Sequence, residues 1–440
     1  MNPSGQAVRA SEPKRIVVLG GGFGGLEAVI ELEKRFSKRS DVELWLVSEN
    51  NYFMFTPLLP QVVSSYIEPR HIIQSIRDIR RHRRFRFLRA RVTGIDLQHR
   101  LVHTTARERP YDYLVIALGS VPNYFGIEGV EHCFPLFTLE DAIVLRDHVL
   151  DLFEHADHEP DPGRRRRLLR FVIVGGGYTG VEAATELHDL TQRFLVPRCR
   201  GLEPGDASLV LLEATQNILV GVDPKLAARA RRKMERKGIT LRLGAKVAKV
   251  GPTGVELAGG EKIAAGLVIW TAGVRANPLT ELLPLEKNRV GRVLVTPGLH
   301  LPSHPEVFAI GDNALVDKAP LEQTLQVAPV ALEQAKTAAE NIARALSGRP
   351  LLRFEFKLQG MLVSLGMNDA VVNFMGLKFS GYFAWLFWNA VHLLKLVGLK
   401  KQLQVALDWS LATLFPRDIS IIRRPARCRL CHGPHSPDAH

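Results

Sequence analysis

Residues 16–32 read IVVLGGGFGGLEAVIEL, and this stretch decides the fold of the chain. Four apolar residues typical of a buried strand come first, three glycines in a G-x-G-x-x-G frame follow, and an amphipathic run comes next. Gly20 permits a tight turn, Gly22 lets the backbone approach a pyrophosphate, and Gly25 lets helix and strand pack closely. The pattern predicts a strand, a turn and a helix whose N-terminus binds dinucleotide phosphates.

A second apolar strand, VELWLV at residues 42–47, ends directly before Ser48 and Glu49. A carboxylate there, about two dozen residues after the glycine frame, can accept hydrogen bonds from ribose hydroxyls. A glycine frame alone is a weak signal, but here strand, helix and acid stand in the required order. We therefore interpret the segment as a dinucleotide-binding unit with Glu49 as its ribose acid.

The same unit occurs again later in the chain. Residues 170–187 read RFVIVGGGYTGVEAATEL and match residues 15–32 in residue type. Their glycine frame is Gly175, Gly177 and Gly180, and a further strand, SLVLLE, ends at Glu213. Two complete units predict two bound dinucleotides, and hence electron transfer between them.

The strands that close the two units indicate how the units are arranged. YDYLVIALGS ends at Gly119 and Ser120, and its counterpart GLVIWTAGV passes through Gly273. The second unit therefore looks inserted into the first, which gives an α/β fold of two Rossmann-like domains followed by a C-terminal amphipathic, membrane-anchoring helical region. The predicted parts are a first domain at 12–121 and 289–353, a second domain at 122–288, the C-terminal region at 354–424 and a disordered tail at 425–440.

The composition restricts the kinds of partner and the cellular compartment that we expect. The chain has 440 residues, of which 46% are hydrophobic, as expected for two or three folded domains. A formal net charge of +13 favours a partner with an anionic surface, either lipid or nucleic acid. Four cysteines do not make a disulfide framework and the polar N-terminus lacks the apolar core of a signal peptide, so we expect a cytoplasmic protein.

Two basic runs are better explained as protein surface than as a nucleic-acid site. Residues 77–91 carry eight arginines, but only Phe85 and Phe87 are interleaved with them. A nucleic-acid groove would need a recognised module and more aromatic residues, so a solvated helix followed by a strand is favoured. The same holds for the arginines at 164–167, and we expect no nucleic-acid partner.

Two segments are predicted to lie beside the first dinucleotide. The strand VFAI leads into Gly311 and Asp312, and Pro329 suits the first turn of a following helix, whose positive end would face the strand ends. Asp312 is either an acceptor for flavin ribityl hydroxyls or a capping carboxylate. Pro57 and Pro60, in NYFMFTPLLPQVV, oppose helix and indicate a shaped loop that is either a flavin-facing wall or a buried connection.

The last hundred residues have a different character. YFAWLFWNAVHLLKLVGL, at residues 382–399, contains Asn389, His392 and Lys395, so we do not expect it to span a bilayer. Apolar helices with interfacial tryptophans and flanking lysines match a helix lying in a membrane surface, and a dimer or core helix is the alternative. The tail contains Cys428, Cys431 and His432, which suit a disordered tail, a small metal site or a haem attachment.

Taken together, these motifs resemble the type II NADH:quinone oxidoreductases, the single-subunit NADH dehydrogenases that do not pump protons. The resemblance covers nearly the whole chain, and its most specific parts are IWTAGV, PLLPQVV and GLKFSG before the Trp-rich C-terminus. It implies FAD on Gly20, Gly22, Gly25, Glu49, Pro57, Gly119, Gly311, Asp312 and Ala328. It implies NADH on Gly175, Gly177, Gly180, Glu213 and Gly273.

The resemblance also implies two catalytic residues and a departure from the family. Glu182 matches the glutamate beside nicotinamide and flavin, and Lys378 matches a lysine near the quinone. The helix that meets the quinone commonly shows A-Q-x-A-x-Q, whereas this chain has Pro329 and Glu333 at the glutamine positions. A carboxylate at Glu213 should favour NADH over NADPH, because it would repel a 2'-phosphate.

The sequence thus predicts a peripheral flavoenzyme that oxidises NADH, passes electrons through FAD to a membrane quinone and pumps no protons. We expect it on the cytoplasmic face of the plasma membrane, on an anionic lipid surface and without a bound metal. The sequence leaves the oligomeric state open, with a homodimer as the candidate assembly. A soluble flavin reductase that serves a protein carrier such as ferredoxin is the alternative. Sulfide:quinone oxidoreductase chemistry needs a cysteine pair at the flavin, and Cys133 and Cys199 both fall in the inserted unit.

Overall fold

The computed structural model describes residues 13–81 and 83–421. Residue 12, the end of the predicted C-terminal region at 422–424 and the cysteine-containing tail lie outside the described residues. The elements up to residue 122 are β1 (Lys14–Leu19), α1 (Phe23–Phe36), β2 (Val42–Ser48), β3 (Tyr52–Met54), α2 (Leu59–Val63), β4 (Ile73–Ser75), α3 (Ile76–Arg80), β5 (Arg86–Arg89), β6 (Val92–Asp96), β7 (Leu101–Thr104), β8 (Arg109–Pro110), β9 (Tyr113–Ile116) and β10 (Ser120–Pro122).

The middle of the chain repeats this arrangement with longer helices. Its elements are β11 (Phe134–Pro135), α4 (Leu139–Asp157), α5 (Pro162–Leu168), β12 (Arg170–Val174), α6 (Tyr178–Leu190), β13 (Ser208–Glu213), α7 (Pro224–Arg236), β14 (Thr240–Leu243), β15 (Val247–Gly251), β16 (Gly254–Leu257), β17 (Lys262–Ala264), β18 (Leu267–Trp270) and β19 (Val274–Ala276). A π-helical turn, Thr191–Leu195, continues α6.

The rest of the chain returns to the first domain and then forms the C-terminal region. Its elements are β20 (Val293–Val295), β21 (Val307–Ala309), β22 (Ala314–Val316), α8 (Leu321–Thr324), α9 (Ala328–Leu346), β23 (Gly360–Ser364), β24 (Ala370–Phe374), β25 (Leu377–Gly381), α10 (Tyr382–Lys395) and α11 (Leu399–Leu414).

Two parallel five-stranded sheets with matching strand orders form the centres of the two domains. The first has the order β21-β9-β1-β2-β5 and the second β11-β18-β12-β13-β14. Because β21 follows the whole second sheet in the chain yet pairs with β9, the second unit is inserted into the first. Both sheets are buried on two faces, as parallel sheets are, which explains the uninterrupted apolar runs. The predicted fold class is confirmed, and the residue limits of the domains stay a prediction.

The C-terminal region is an antiparallel sheet, β23-β24-β25, followed by two helices. The Phe387 ring of α10 lies 5.3 Å from that of Phe374 and 5.6 Å from that of Phe379, measured between centroids. The Trp409 indole N–H of α11 donates to Gln61 Oε1 in α2 at 2.9 Å. The region is thus joined to the first domain through α2. Among the described helices, none has the length and apolarity needed to cross a membrane.

Two local expectations were wrong. Pro57 and Pro60 do not oppose helix. Pro57 lies at the start of a 3₁₀ helix (Thr56–Leu58) and Pro60 at the start of α2, where backbone N–H groups make no hydrogen bond within the helix, so proline is tolerated. The tryptophans are not interfacial, because Trp385, Trp388 and Trp409 are 8%, 1% and 8% exposed. The exposed apolar side chains of α10 and α11 are instead leucines, a tyrosine and a phenylalanine.

Candidate active site

The first glycine loop leaves an open space at the start of α1. Gly20 has φ of +107°, and a Cβ there would collide with the carbonyl oxygen of Ala117. A Cβ on Gly25 would collide with the carbonyl oxygen of Gly20, so both positions require glycine. A Cβ on Gly22, in contrast, would meet no atom within 4 Å, and no side chain caps α1. The first N–H groups of the helix therefore face a space that fits a pyrophosphate.

The second loop has the same geometry at the start of α6. Gly175 has φ of +112°, and a Cβ there would lie 2.8 Å from Ala272 Cα. A Cβ on Gly180 would collide with the Gly175 carbonyl, and one on Gly177 would meet nothing within 4 Å. The chain thus contains two open glycine cradles, each at the carboxyl edge of a parallel sheet, where dinucleotides bind.

The acids after the second strands do not occupy equivalent positions. Gly20 N donates to Val47 O and Gly175 N donates to Leu212 O, each at 2.8 Å, so these two strand residues correspond. Glu213 is therefore the counterpart of Ser48, and Glu49 lies one residue further on.

This offset changes what each acid contacts. Glu213 Oε2 accepts a hydrogen bond from Gly176 N at 2.7 Å, inside the second glycine loop. Ser48 faces the first loop, where a Cβ on Gly21 would lie 2.7 Å from its Oγ. Glu49 instead pairs with Arg91, Nη2 to Oε1, at 2.7 Å on the surface.

Residues on either side of α9's start meet beside the first cradle. Asp312 is half-buried and its Oδ2 accepts from Ser120 Oγ at 2.7 Å; desolvation raises the pKa of this carboxyl. Gly311, with φ of +74°, donates its N–H to Gln334 Oε1 at 2.7 Å. Gln334 is fully buried and its Nε2 has no hydrogen-bond partner in the described residues, which suits a bound polar ring at this place. Ala328 is the first residue of α9 and is half-buried.

Two further predicted glycines end the strands at the same edges. Gly119 has φ of +71° and receives the side chain of Asn313, whose Oδ1 accepts from Gly119 N at 3.0 Å. Gly273 has φ of +68° and lies under the ring of Phe125. Pro57 is half-buried in the turn before α2, close to Phe55, whose ring is 6.1 Å from that of His392 in α10.

Glu182 of α6 is a buried acid with a strongly raised pKa. It is 8% exposed, and its Oε1 accepts a hydrogen bond from Ser364 N, at the end of β23, at 2.9 Å. Burial raises the pKa of the Glu182 carboxyl to about 8, so it carries a proton at neutral pH. The Trp388 indole N–H of α10 lies near this carboxyl and partly offsets the rise of its pKa, although its geometry falls short of a hydrogen bond within the described residues. A buried, protonated carboxyl with a perturbed pKa is typical of a reacting site.

The structure does not bring Lys378 together with Glu182. Lys378 lies on β25, the edge strand, and its Nζ binds Asp223 Oδ2 at 2.7 Å, at the start of α7. Glu182 contacts β23 at the other side of the same sheet. The predicted role of Lys378 at a quinone therefore gains no support from its position.

Sequence reasoning missed two acids that follow Glu182 on α6. Glu186 accepts from Ser64 Oγ at 2.8 Å and lies 3.7 Å from the Arg417 guanidinium; burial raises its pKa. Asp189 accepts from Met367 N at 2.7 Å and binds Lys237, and its pKa falls to about 2 despite burial. Glu186 lies four residues after Glu182, and Asp189 lies three residues after Glu186, so the three acids share one face of α6. This spacing is visible in the sequence and could have identified them.

Neither cysteine in the described residues is a redox candidate. Burial raises the pKa of both the Cys133 and Cys199 thiols to about 11, so neither is a thiolate at neutral pH. Across residues 13–81 and 83–421, no group of three side chains is arranged to hold a metal ion. The proposed ligands Cys428, Cys431 and His432 lie outside this part of the chain.

Comparisons with family models agree with this arrangement. Residues 14–335 match the pyridine nucleotide-disulphide oxidoreductase family, and residues 358–418 match the NDH2 C-terminal domain. Among solved structures, NDH2 from Plasmodium falciparum in complex with NADH has a TM-score of 0.83 at 20% identity, over 93% of this chain and 100% of that one. The sulfide:quinone oxidoreductase of Aquifex aeolicus has a TM-score of 0.72 at 19% identity, over 91% and 94%. These two likenesses show the fold.

Sequence relatives show the family. The type II NADH:quinone oxidoreductase Ndh of Mycobacterium tuberculosis is 34% identical over 438 residues, which cover 95% of this chain and 92% of that protein. A probable NADH dehydrogenase of Dictyostelium discoideum is 32% identical, over 93% of this chain and 91% of its own length. With two glycine cradles and a buried protonated glutamate between them and the C-terminal region, the chain belongs to the type II NADH:quinone oxidoreductase family.

Proposed function

We propose that this protein oxidises NADH and reduces a quinone, with FAD bound in the first cradle and NADH in the second. The observation that carries the proposal is the pair of open glycine cradles at the carboxyl edges of two sheets, with Glu182 buried in the helix that begins at the second cradle. FAD, when bound, accepts the hydride of NADH and supplies the electrons that reduce the quinone. The balance is NADH + H⁺ + quinone → NAD⁺ + quinol, so one proton per turnover comes from the protein or the solvent.

The first cradle supports FAD by shape and by its polar groups. Gly22 leaves room for the pyrophosphate, and Asp312 offers a half-buried carboxyl group to ribityl hydroxyls. The unpaired Nε2 of Gln334 is available to a carbonyl or ring nitrogen, and α9 directs its positive end toward the same place. Pro57 and Ala328 are proposed to line the ring. Glu49 is a weaker candidate for the ribose, since Arg91 already binds it.

The second cradle supports NADH and disfavours NADPH. Glu213 is held inside the loop by Gly176 N and can accept from a ribose hydroxyl through its remaining lone pairs. A 2'-phosphate at this place would lie against that carboxylate and be repelled.

Glu182 is proposed to hold the proton that quinone reduction consumes. Its carboxyl is protonated at neutral pH, since its pKa is about 8. Ser364 N fixes Oε1, which leaves Oε2 as the atom that can carry the proton toward the acceptor. Burial under β23 and α10 keeps bulk water away from this group.

The C-terminal helices are proposed to lie on a membrane, where a quinone would be met. Along one face of α11, side chains at intervals of three or four residues are exposed and apolar: Leu399, Leu403, Leu407, Leu411 and Leu414. At the start of α10, Tyr382 and Phe383 are 53% and 78% exposed. Such a surface in water is typical of an interface with lipid or protein. We assign it to the cytoplasmic face of the plasma membrane, with homodimer formation through part of it as a further proposal.

Reconstitution into quinone-containing vesicles tests the whole proposal. We expect NADH-dependent quinol formation, far slower turnover with NADPH, and no change in the signal of a pH-sensitive dye trapped in the vesicles. Leu403→Ser/Leu407→Ser should weaken vesicle binding, whereas Leu282→Ser, at an exposed leucine of the second domain, should not. Reduction of ferredoxin but not of quinone would contradict the proposal.

A further inference from the structure

A strongly basic cavity lies between α7 and the C-terminal sheet, away from both glycine cradles. Its volume is about 160 Å³, and six side chains line it: Arg229, Arg232, Lys233, Arg236, Lys237 and Asp369. Five of these are basic and one is acidic. Such a cavity holds roughly five waters, which is room for a phosphate group.

The charges in this cavity are only partly compensated. Lys233 binds Asp369 at 2.9 Å and Lys237 binds Asp189. Arg229, Arg232 and Arg236 have no carboxylate within salt-bridge distance in the part of the chain that the structure describes. Three guanidinium groups therefore face one cavity without an acid of their own.

The same residues repel one another along α7. Arg229 with Lys233, and Arg232 with Arg236, are like-charged pairs four residues apart, and each such pair destabilises a helix. Arg231, which does not line the cavity, is instead paired with Glu235 at 2.9 Å. Within the described residues, the three arginines that line the cavity are therefore left without a carboxylate partner, although the arginine next to them on α7 has one.

The cavity is distinct from the dinucleotide sites. It is anchored through Lys237 to Asp189, near the end of α6, whereas the glycine cradle lies at the start of that helix. Twelve residues separate Gly177 from Asp189, which is roughly 18 Å along the helix. An NADH pyrophosphate in the cradle therefore cannot reach these arginines.

The cavity also lies beside the exposed apolar surface. Asp369 directly precedes Ala370, whose strand partner is Gly381, the residue before the exposed Tyr382 and Phe383 of α10. A basic cavity whose Asp369 wall leads to exposed aromatic side chains suits a molecule with a phosphate and an apolar part.

From these observations we infer that the α7 cavity is a binding site for a phosphate group, supplied by an anionic phospholipid. The three unpaired guanidinium groups bind the phosphate oxygens, and the neighbouring aromatic side chains contact the acyl region. A soluble phosphate is the other source of the same chemistry. The site does not depend on the quinone reaction, and binding can be measured without turnover.

The test uses the full-length holoenzyme and two double variants of equal charge. Arg229→Gln/Arg232→Gln removes two arginines from the cavity, and Lys225→Gln/Arg231→Gln removes two positive charges from α7 outside it. Sedimentation with vesicles of phosphatidylcholine, with and without phosphatidylglycerol, measures lipid binding. Calorimetric titration with inorganic phosphate measures binding of a soluble phosphate. Flavin content and melting temperature show that each variant is folded.

We expect the cavity variant to bind phosphatidylglycerol vesicles at least tenfold more weakly, and the control variant to change less than twofold. Binding to pure phosphatidylcholine should be the same for all three proteins. Phosphate binding that the cavity variant alone loses would support the site and assign it to a soluble ligand. Equal losses in the two variants, or no loss in either assay, would overturn the inference.

Discussion

Gly20 and Gly175 hold nearly the same backbone, with φ of +107° and +112°, yet the two repeats surround that backbone with different chemistry. Glu27 and Glu31 of α1 stand at the positions that Glu182 and Glu186 occupy in α6. Glu27 is half-buried and Glu31 binds Lys34 and Arg35, whereas Glu182 and Glu186 are buried under the C-terminal region. The matching acids are therefore partly exposed in one repeat and buried in the other.

The comparison shows that the two repeats share the backbone geometry that only glycine can adopt, and that their surroundings differ. The collisions that a Cβ would meet at Gly25 and Gly180 are the same, so the cradle must be the same. What covers the helix is supplied by distant parts of the chain, and it decides the pKa of the acids.

The largest effect is expected for Gly180→Ala in the second cradle. A Cβ there would collide with the Gly175 carbonyl and lie 2.8 Å from Thr271 Oγ1, so the turn must distort. We expect the variant to keep FAD and to lose most NADH binding, with a Kd at least 100-fold higher by titration of flavin bleaching. The loss corresponds to about 3 kcal/mol.

Gly177→Ala sharpens this test because its Cβ meets no protein atom within 4 Å. It should fold with an unchanged melting temperature and still weaken NADH binding, since the space it enters is the one reserved for the pyrophosphate. If Gly177→Ala bound NADH as tightly as the wild type, the cradle would not be the NADH site.

Glu182→Gln should slow reoxidation of the reduced flavin by quinone on the order of 100-fold. Its flavin reduction by NADH should change much less, and stopped-flow absorbance separates the two steps. The wild-type reoxidation rate should fall as pH rises through about 8, where Glu182 loses its proton, and the variant should lack this dependence. Glu27→Gln, the matched change in the first repeat, should alter neither rate by more than about twofold.

The pH dependence of the free energy of unfolding provides a second test of whether Glu182 is protonated in the folded protein. Its folded pKa is raised from 4.5 to about 8, so the folded state binds more protons than the unfolded state between these values. The wild-type free energy of unfolding should therefore fall relative to the variant as pH rises from 4.5 to 8. Denaturant titrations measure this free energy at each pH. If it changed with pH in the same way for the wild type and the variant, Glu182 would not be protonated in the folded protein.

Glu213→Ala should narrow the preference for NADH over NADPH by about 10- to 100-fold in kcat/KM, since it removes the charge that repels a 2'-phosphate. Glu49→Gln should leave this preference unchanged. If Glu49→Gln shifted the preference as much, the assignment of NADH to the second cradle alone would be wrong.

The smallest effect is expected for Arg91→Gln. Arg91 and Glu49 are paired on the surface, with side chains 69% and 57% exposed, and such pairs add little stability. We expect an unchanged melting temperature and FAD content within error. A loss of FAD on this change would mean that the pair positions Glu49 for the ribose.

Most of the fold could be predicted because the sequence patterns that determine it lie in short continuous segments. The glycine frames, the apolar strands and the repeat lie in continuous stretches, and they predicted both sheets and the fold class. The positions of Glu49 and Glu213 were predicted only to within one residue, because counting from a glycine cannot fix a strand register. Only the register shows that Glu213 corresponds to Ser48.

The rest depends on contacts between distant segments, which a single sequence does not reveal. Ser64 meets Glu186 across 122 residues of chain, and Glu182 meets Ser364 across 182. Trp409 looks interfacial in a sequence but donates to Gln61, 348 residues away. Lys378 was placed near the quinone by resemblance, and its partner is Asp223 in another domain.

The most direct test of the central claim is anaerobic stopped-flow absorbance of the purified protein, with NADH added first and a short-chain quinone second. The account predicts rapid bleaching of the flavin by NADH, much slower bleaching by NADPH, and rapid recovery on adding quinone. Bleaching that no quinone reverses, or a flavin that NADH does not bleach, would contradict the claim that two repeated cradles pass electrons from NADH through FAD to a quinone.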